Sequence, residues 1–237
     1  VVIAKPEENV TSDTEAYELS VEAGNLGGGI QEIRLFHNDR MVAKEVLDDA
    51  DEETYNHTFE VKLTPGDNKF RTVAMSRDMI ESKPAKIQVA YTGAERKSTL
   101  HVVTIGINEY RNPALALNYG VPDALGIEQF FASQPRTLFK DIKTYKVLDK
   151  QATKPGIRKA LADLKDISPD DVMVGYLAGH GDSIGETWYF MPYDVTYPER
   201  EDHVREKGIT SLELEQWVND VPAQKVVMMM DACKSGA

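Results

Sequence analysis

Two short glycine-bearing segments hold the residues best suited to chemistry: Gly175-Tyr176-Leu177-Ala178-Gly179-His180-Gly181 and Met229-Met230-Asp231-Ala232-Cys233-Lys234-Ser235-Gly236. Each closes an apolar run of strand length, which puts His180 and Cys233 at strand ends, where side chains and bare backbone amides both reach a substrate. A thiol is mostly protonated at neutral pH. A neighbouring imidazole turns it into a thiolate nucleophile and later protonates a leaving amine. The glycines let a peptide carbonyl approach closely, so the amides of Gly181 and Cys233 could stabilise a tetrahedral oxyanion. Taken singly, each residue has a plainer reading, since cysteine is among the most buried residue types and a lone histidine is usually structural. The shared setting carries the weight: both close a strand and both precede a glycine-bearing turn. The other histidines lack it, with His37 and His57 in a β-patterned region, His101 opening a strand and His203 in a charged loop.

The elements that must position these residues follow from hydrophobic patterning. Leu100–Ile107, Lys143–Leu148, Asp171–Ala178 and Lys225–Met230 are nearly continuous apolar runs, the pattern of strands covered on both faces. Between them lie helical stretches at Val121–Ser133, Thr153–Leu164 and Thr210–Asn219, the last opening with a capping box of Thr210 and Glu213. Strand alternating with helix implies a mostly parallel sheet flanked by helices. Before residue 95 the period changes to two, in runs such as Tyr17, Leu19, Val21 and Phe59, Val61, Leu63, separated by turn signals at Asn38-Asp39 and Pro65-Gly66-Asp67-Asn68. Six or seven antiparallel strands are expected there, an all-β sandwich of immunoglobulin or fibronectin type III kind without a disulfide. The domains are therefore read as 1–95 and 96–237, joined by the polar segment Thr92–Ser98, and the acidic run Asp48–Glu53 as a solvated loop.

Composition narrows the function classes. The 237 residues carry 39 acidic and 27 basic side chains, a net charge of −12, which repels nucleic-acid backbones and anionic membranes and removes both as partners. No run approaches the length of a membrane span, so the chain reads as soluble. One cysteine cannot make an intrachain disulfide, which favours the cytoplasm.

In four blocks the sequence resembles the caspase-like peptidases, and among them the bacterial and metacaspase-like branch. The blocks are Val102–Tyr110 (VVTIGINEY), Leu117–Leu125 (LNYGVPDAL), Ala178–Gly181 (AGHG) and Asp231–Gly236 (DACKSG), and His180 and Cys233 stand 53 positions apart, near the roughly fifty of caspases. The resemblance spans about Leu100 to Ala237. It implies an α/β caspase-like fold, a six-stranded mostly parallel sheet, and a cysteine endopeptidase acting on protein or peptide substrates through His180 and Cys233. It also places Asp123 in the primary specificity pocket beside Asp231, a pair of carboxylates that would select Arg or Lys before the scissile bond. The alternative is a catalytically inactive caspase-like scaffold or protein-binding module. No organic cofactor is implied. Calcium activation stays open without its usual ligand positions, because the aspartates that bind calcium in some metacaspases would fall near Ser211 and Leu212, poor ligands for a hard cation. The resemblance further implies a small subunit, or a C-terminal remainder of the same protein, packed beside the strand Lys225–Met230.

Overall fold

The computed structural model describes residues 1–47, 53–94 and 96–233. The acidic run expected as a loop falls, except for Glu53, outside the described residues, as do Glu95 of the polar segment and Lys234–Gly236 of the turn after Cys233. The chain divides into two compact units, Val1–Arg96 and the remainder from Lys97.

The first unit is built of strands β1 (Val2–Lys5), β2 (Val10–Ser12), β3 (Ala16–Gly24), β4 (Glu32–His37), β5 (Arg40–Val46), β6 (Thr54–Lys62), β7 (Gly66–Met75) and β8 (Ala85–Tyr91). They form one sheet of order β1-β3-β6 and a second of order β2-β8-β7-β4-β5. Alternate residues turn inward from both sheets into one core, Leu19, Val21 and Phe59 meeting Ile33, Leu35, Phe70 and Val89. The expectation of six or seven antiparallel strands is corrected to eight strands among the described residues, with β2 running parallel to β8. The first two strands are too short to show alternation. The β2–β8 pair joins segments far apart in sequence, so no hairpin turn dictates its direction. Between β4 and β5, Asn38 and Asp39 both take positive φ, 49° and 68°, as a two-residue hairpin of the primed type demands.

A buried polar network pins the β6–β7 turn. The Asn68 Oδ1 accepts from the Thr64 amide at 2.7 Å and the Thr64 hydroxyl at 3.1 Å, and it faces His37 Nε2 at 2.8 Å, so that nitrogen carries its proton. The Asn68 amide group in turn donates to the carbonyls of Thr64, Gly66 and Val89. His37 is 2% exposed and stacks on Phe70.

The second unit holds β9 (Thr99–Gly106), α1 (Gly120–Ala132), β10 (Asp141–Leu148), α2 (Lys154–Ala162), β11 (Val172–Ala178), β12 (Gly181–Ile184), β13 (Thr187–Phe190), α3 (Glu201–Lys207), β14 (Ile209–Thr210), α4 (Ser211–Asn219) and β15 (Lys225–Asp231). Strands β10-β9-β11-β15 form a wholly parallel sheet of four among the described residues, where the resemblance implied six, and β12-β13-β14 a small separate sheet. One face of the parallel sheet buries Leu100, Val102, Val174 and Tyr176 under Ala124, Ile127 and Phe131 of α1. The other buries Val103, Ile105, Met173 and Leu177 under Ile157 and Leu161 of α2 and Leu214 and Trp217 of α4. The capping box of Thr210 and Glu213 is formed, and Glu213 also takes Lys154 Nζ at 2.8 Å, tying α4 to α2. His203, expected in a loop, sits in α3, whose one buried residue is Val204; a helix that charged shows almost no apolar periodicity.

The chain leaves β9 for β10 on one side, then returns past β9 to β11 on the other. That reversal opens a crevice at the carboxyl ends of β9 and β11. Strand β15 pairs with β11 alone among the described residues, and Val227 and Met230 are 52% and 41% exposed.

Burial pushes the His37 imidazole down to about 4 from 6.5, against the pull of its Asn68 bond. Between those values the unfolded chain takes up a proton that the folded unit refuses. The resulting stability, roughly 3 kcal/mol, is fully present above pH 6.5 and is lost as the pH falls through 4. Thermal unfolding from pH 7.5 to 4 should therefore show a steeper loss in the unsubstituted protein than in His37→Gln, and parallel curves would refute the assignment.

Candidate active site

Four strand ends stand level. Leu148 pairs with Gly106, Gly106 with Ala178, and Ala178 with Asp231, and the Gly179 amide extends the line by donating to the Asp231 carbonyl at 3.2 Å. His180 follows immediately, and β12 then leaves the sheet. Its backbone amide donates to the Tyr110 hydroxyl at 2.8 Å, and the two rings lie 5.1 Å apart. Burial drives the Tyr110 phenol above its ordinary range, so it remains neutral.

The imidazole is oriented by main chain. His180 Nε2 lies 2.9 Å from the Leu115 carbonyl, and because a carbonyl only accepts, Nε2 carries the proton and Nδ1 is the basic nitrogen. Leu115 ends a three-residue 3-10 turn, Pro113–Leu115, whose entry is capped by the Asn112 side chain. Asn112 also donates to the Thr196 carbonyl at 2.7 Å. Upstream, Asp149 Oδ1 accepts the amides of Asn108 and Glu109, both at 2.8 Å, and Asn108 Oδ1 accepts the Val121 amide at 2.9 Å. The loop that presents Leu115 is thus tied at both ends.

Cys233 is exposed, two residues past β15. Its carbonyl accepts from Trp188 Nε1 at 3.1 Å. Gly181 lies against the same carbonyl: a Cβ there would stand 2.7 Å from the Cys233 oxygen and 2.9 Å from the Trp188 ring. The backbone that follows His180 and the backbone of Cys233 are therefore in contact. Met191 N donates to the His180 carbonyl at 2.9 Å, which makes Gly181 and Phe190 a non-hydrogen-bonded pair. In such a pair the N–H points away from the partner strand, so the Gly181 amide faces away from β13.

Asp123 and Asp231 stand on a helix and a strand, α1 and β15. Glycines let α1 start close to the sheet: a Cβ on Gly106 would fall 2.4 Å from the Gly120 carbonyl, and one on Gly120 2.6 Å from that of Ile107. Asp123 stands in the first turn of this helix and is exposed. Asp231 ends β15, and its Oδ2 accepts from the Tyr176 hydroxyl at 3.3 Å. The Tyr176 phenol is pushed up to about 12, first by burial, then by the charges of Asp231 and Asp123, so both carboxylates bear on one hydroxyl.

Sequence reasoning missed Tyr110, Leu115, Trp188 and Tyr176. Tyr110 and Tyr176 lie inside the segments already singled out, and Tyr176 shares a face with Ala178 by simple alternation. Leu115 acts through its backbone and leaves no trace in residue type. Beside Trp188 a cavity of about 330 Å³ opens between α4 and β15, lined by Leu214, Val218, Met228 and Met230 among others. Among the described residues no three His, Cys, Asp or Glu cluster as metal ligands, and Ser211 and Leu212 sit exposed at the start of α4. No helix among them is long and apolar enough to cross a membrane.

The profile of the caspase domain of peptidase family C14 matches residues 99–237. The chain belongs to this caspase family. Residues 99–237 are accordingly a cysteine-peptidase domain whose substrates are proteins. No curated protein matches the chain. Among solved structures, the fibronectin(III)-like modules of Clostridium thermocellum CbhA align at 16% identity and a TM-score of 0.31, over 40% of this chain and 99% of theirs. A family 28 exopolygalacturonase of Yersinia enterocolitica aligns at 12% and 0.23, over 70% of this chain and 26% of its own. A polysaccharide deacetylase from Bacillus cereus aligns at 12% and 0.21, over 89% and 64%. Likeness this slight bears on no function of the caspase domain.

The Gly181 contact makes a direct expectation. Gly181→Ala forces its methyl against a backbone carbonyl and a rigid indole, so the second unit should lose about 1–3 kcal/mol and Trp188 should release Cys233. A lowered melting temperature with red-shifted tryptophan emission would show this, and unchanged emission would count against the contact.

Proposed function

We propose that the caspase domain is a cysteine endopeptidase in which Cys233 is the nucleophile and His180 its proton carrier, cutting after Arg or Lys. The observation that supports it best is the Leu115 carbonyl on His180 Nε2, which leaves Nδ1 as the base at the strand end next to the one that leads to Cys233. In this reading Nδ1 takes the thiol proton and the thiolate attacks the scissile carbonyl carbon. The oxyanion is held by the amides of Gly181 and Cys233. Collapse of the tetrahedral adduct expels the amine, which leaves with the proton from Nδ1, and a thioester remains. Water, deprotonated by the same nitrogen, then releases the acid and the thiol.

Asp123 and Asp231 would form the pocket for the basic side chain, supported by their joint action on Tyr176. A basic preference fits the metacaspase-like branch. Nothing in the site favours the inactive-scaffold alternative, since histidine and cysteine are both present. The two-sheet unit reads as an immunoglobulin-like module. The edge of β15 that is unpaired among the described residues, with exposed Val227 and Met230, is read as the place where a small subunit, or a C-terminal remainder of the same protein, adds a strand, because a bare apolar edge invites pairing.

Cys233→Ala and His180→Ala should each lower peptide hydrolysis at least about a thousandfold while the far-UV spectrum is kept. Arg- and Lys-ending fluorogenic peptides should be cleaved and Asp-ending ones spared, with Asp231→Ala losing roughly a hundredfold. Activity surviving in Cys233→Ala, or preference for Asp, would overturn the reading. Arg96, exposed and paired with Glu15 at 2.8 Å, precedes Lys97 between the two units. Self-cleavage there should appear by mass spectrometry in the active protein and not in Cys233→Ala.

A further inference from the structure

Tyr176 is hydrogen-bonded to one of the two carboxylates assigned to the specificity pocket, Asp231, and feels the charge of the other, Asp123. The residue is 8% exposed and packs with Ala124 of α1 and Ala178 of its own strand. In register it pairs with Met229, two residues before Asp231, so the phenol reaches diagonally across the strand pair to the last carboxylate of β15. The hydroxyl donates to Asp231 Oδ2 at 3.3 Å. Ala178, the next residue of β11 on that face, offers no polar atom of its own side chain.

The choice of a phenol matters. A lysine or arginine at this place would also hold Asp231, but it would cancel the charge that draws a basic substrate. A tyrosine kept neutral by burial and by the Asp231 and Asp123 charges donates one hydrogen bond and adds no charge. We propose that Tyr176 is a positioning residue for specificity: by holding Oδ2 it fixes the plane of the Asp231 carboxylate and so favours arginine over lysine. The inference rests on the proposed basic specificity of this site. A guanidinium pairs with a carboxylate through two parallel bonds and needs that plane defined, whereas an ammonium is a point charge that follows a rotating carboxylate.

The test compares the full chain with Tyr176→Phe on matched Arg- and Lys-ending peptides. In the variant kcat/KM for Arg should fall about tenfold, the size of one hydrogen bond to a charged group, chiefly through KM. For Lys it should fall no more than about threefold, and the rate of Cys233 alkylation by iodoacetamide should not change. A general loosening of the fold would lower both substrates together, so equal falls, or no fall, would overturn the proposal. Cleavage after neither residue by the unsubstituted protein would overturn the basic-specificity reading and this proposal with it. A second comparison does not depend on the stability of the single variant: in an Asp231→Asn background, Tyr176→Phe should leave the Arg-to-Lys ratio unmoved. A further change of that ratio would show that Tyr176 acts through some other group.

Discussion

The second unit depends on one row of registered backbone in which Leu148, Gly106, Ala178 and Asp231 stand side by side. Parallel pairing holds the four strands at a common level, so their carboxyl ends open onto the same crevice. A slip of one residue in β15 would turn Asp231 to the opposite face of the sheet, away from Tyr176, and carry Cys233 off Gly181 and Trp188. The helices secure the register from both faces, α1 through Ala124 and Phe131, α2 and α4 through Ile157, Leu161, Leu214 and Trp217.

The pieces laid on this row come from four places in the chain, and each is held by a different device. A 3-10 turn brings a carbonyl to His180. An indole N–H takes the carbonyl of Cys233, a phenol takes a carboxylate of Asp231, and a pair of glycines lets α1 deliver Asp123. In all but the last the holding group is itself neutral, a carbonyl, an indole or a phenol, so orientation is held without adding charge to the site.

The strands and long helices were legible because burial on both faces writes itself as unbroken apolar runs, and because Thr210 and Glu213 mark a helix start in two letters. The positions of His180 and Cys233 at strand ends followed from the same runs. What escaped had weak or absent signals. Strands β12 and β13 have only four residues each, too few for a period to register. Helix α3 has one buried residue in seven and reads as charge. In the first unit β2 is three residues long and pairs in the unexpected direction. Leu115 could not be found at all, because its side chain has no part in what it does.

That last residue sets two halves of one site under different rules. The grip on the imidazole comes from a main-chain dipole, which neither salt nor acid neutralises, whereas Asp123 and Asp231, in the role proposed for them, would act through exposed charge, screened over about 10 Å at 0.1 M salt. Changing the ionic milieu would then retune which peptides are attracted while the hydrogen bond that orients His180 stays as it is.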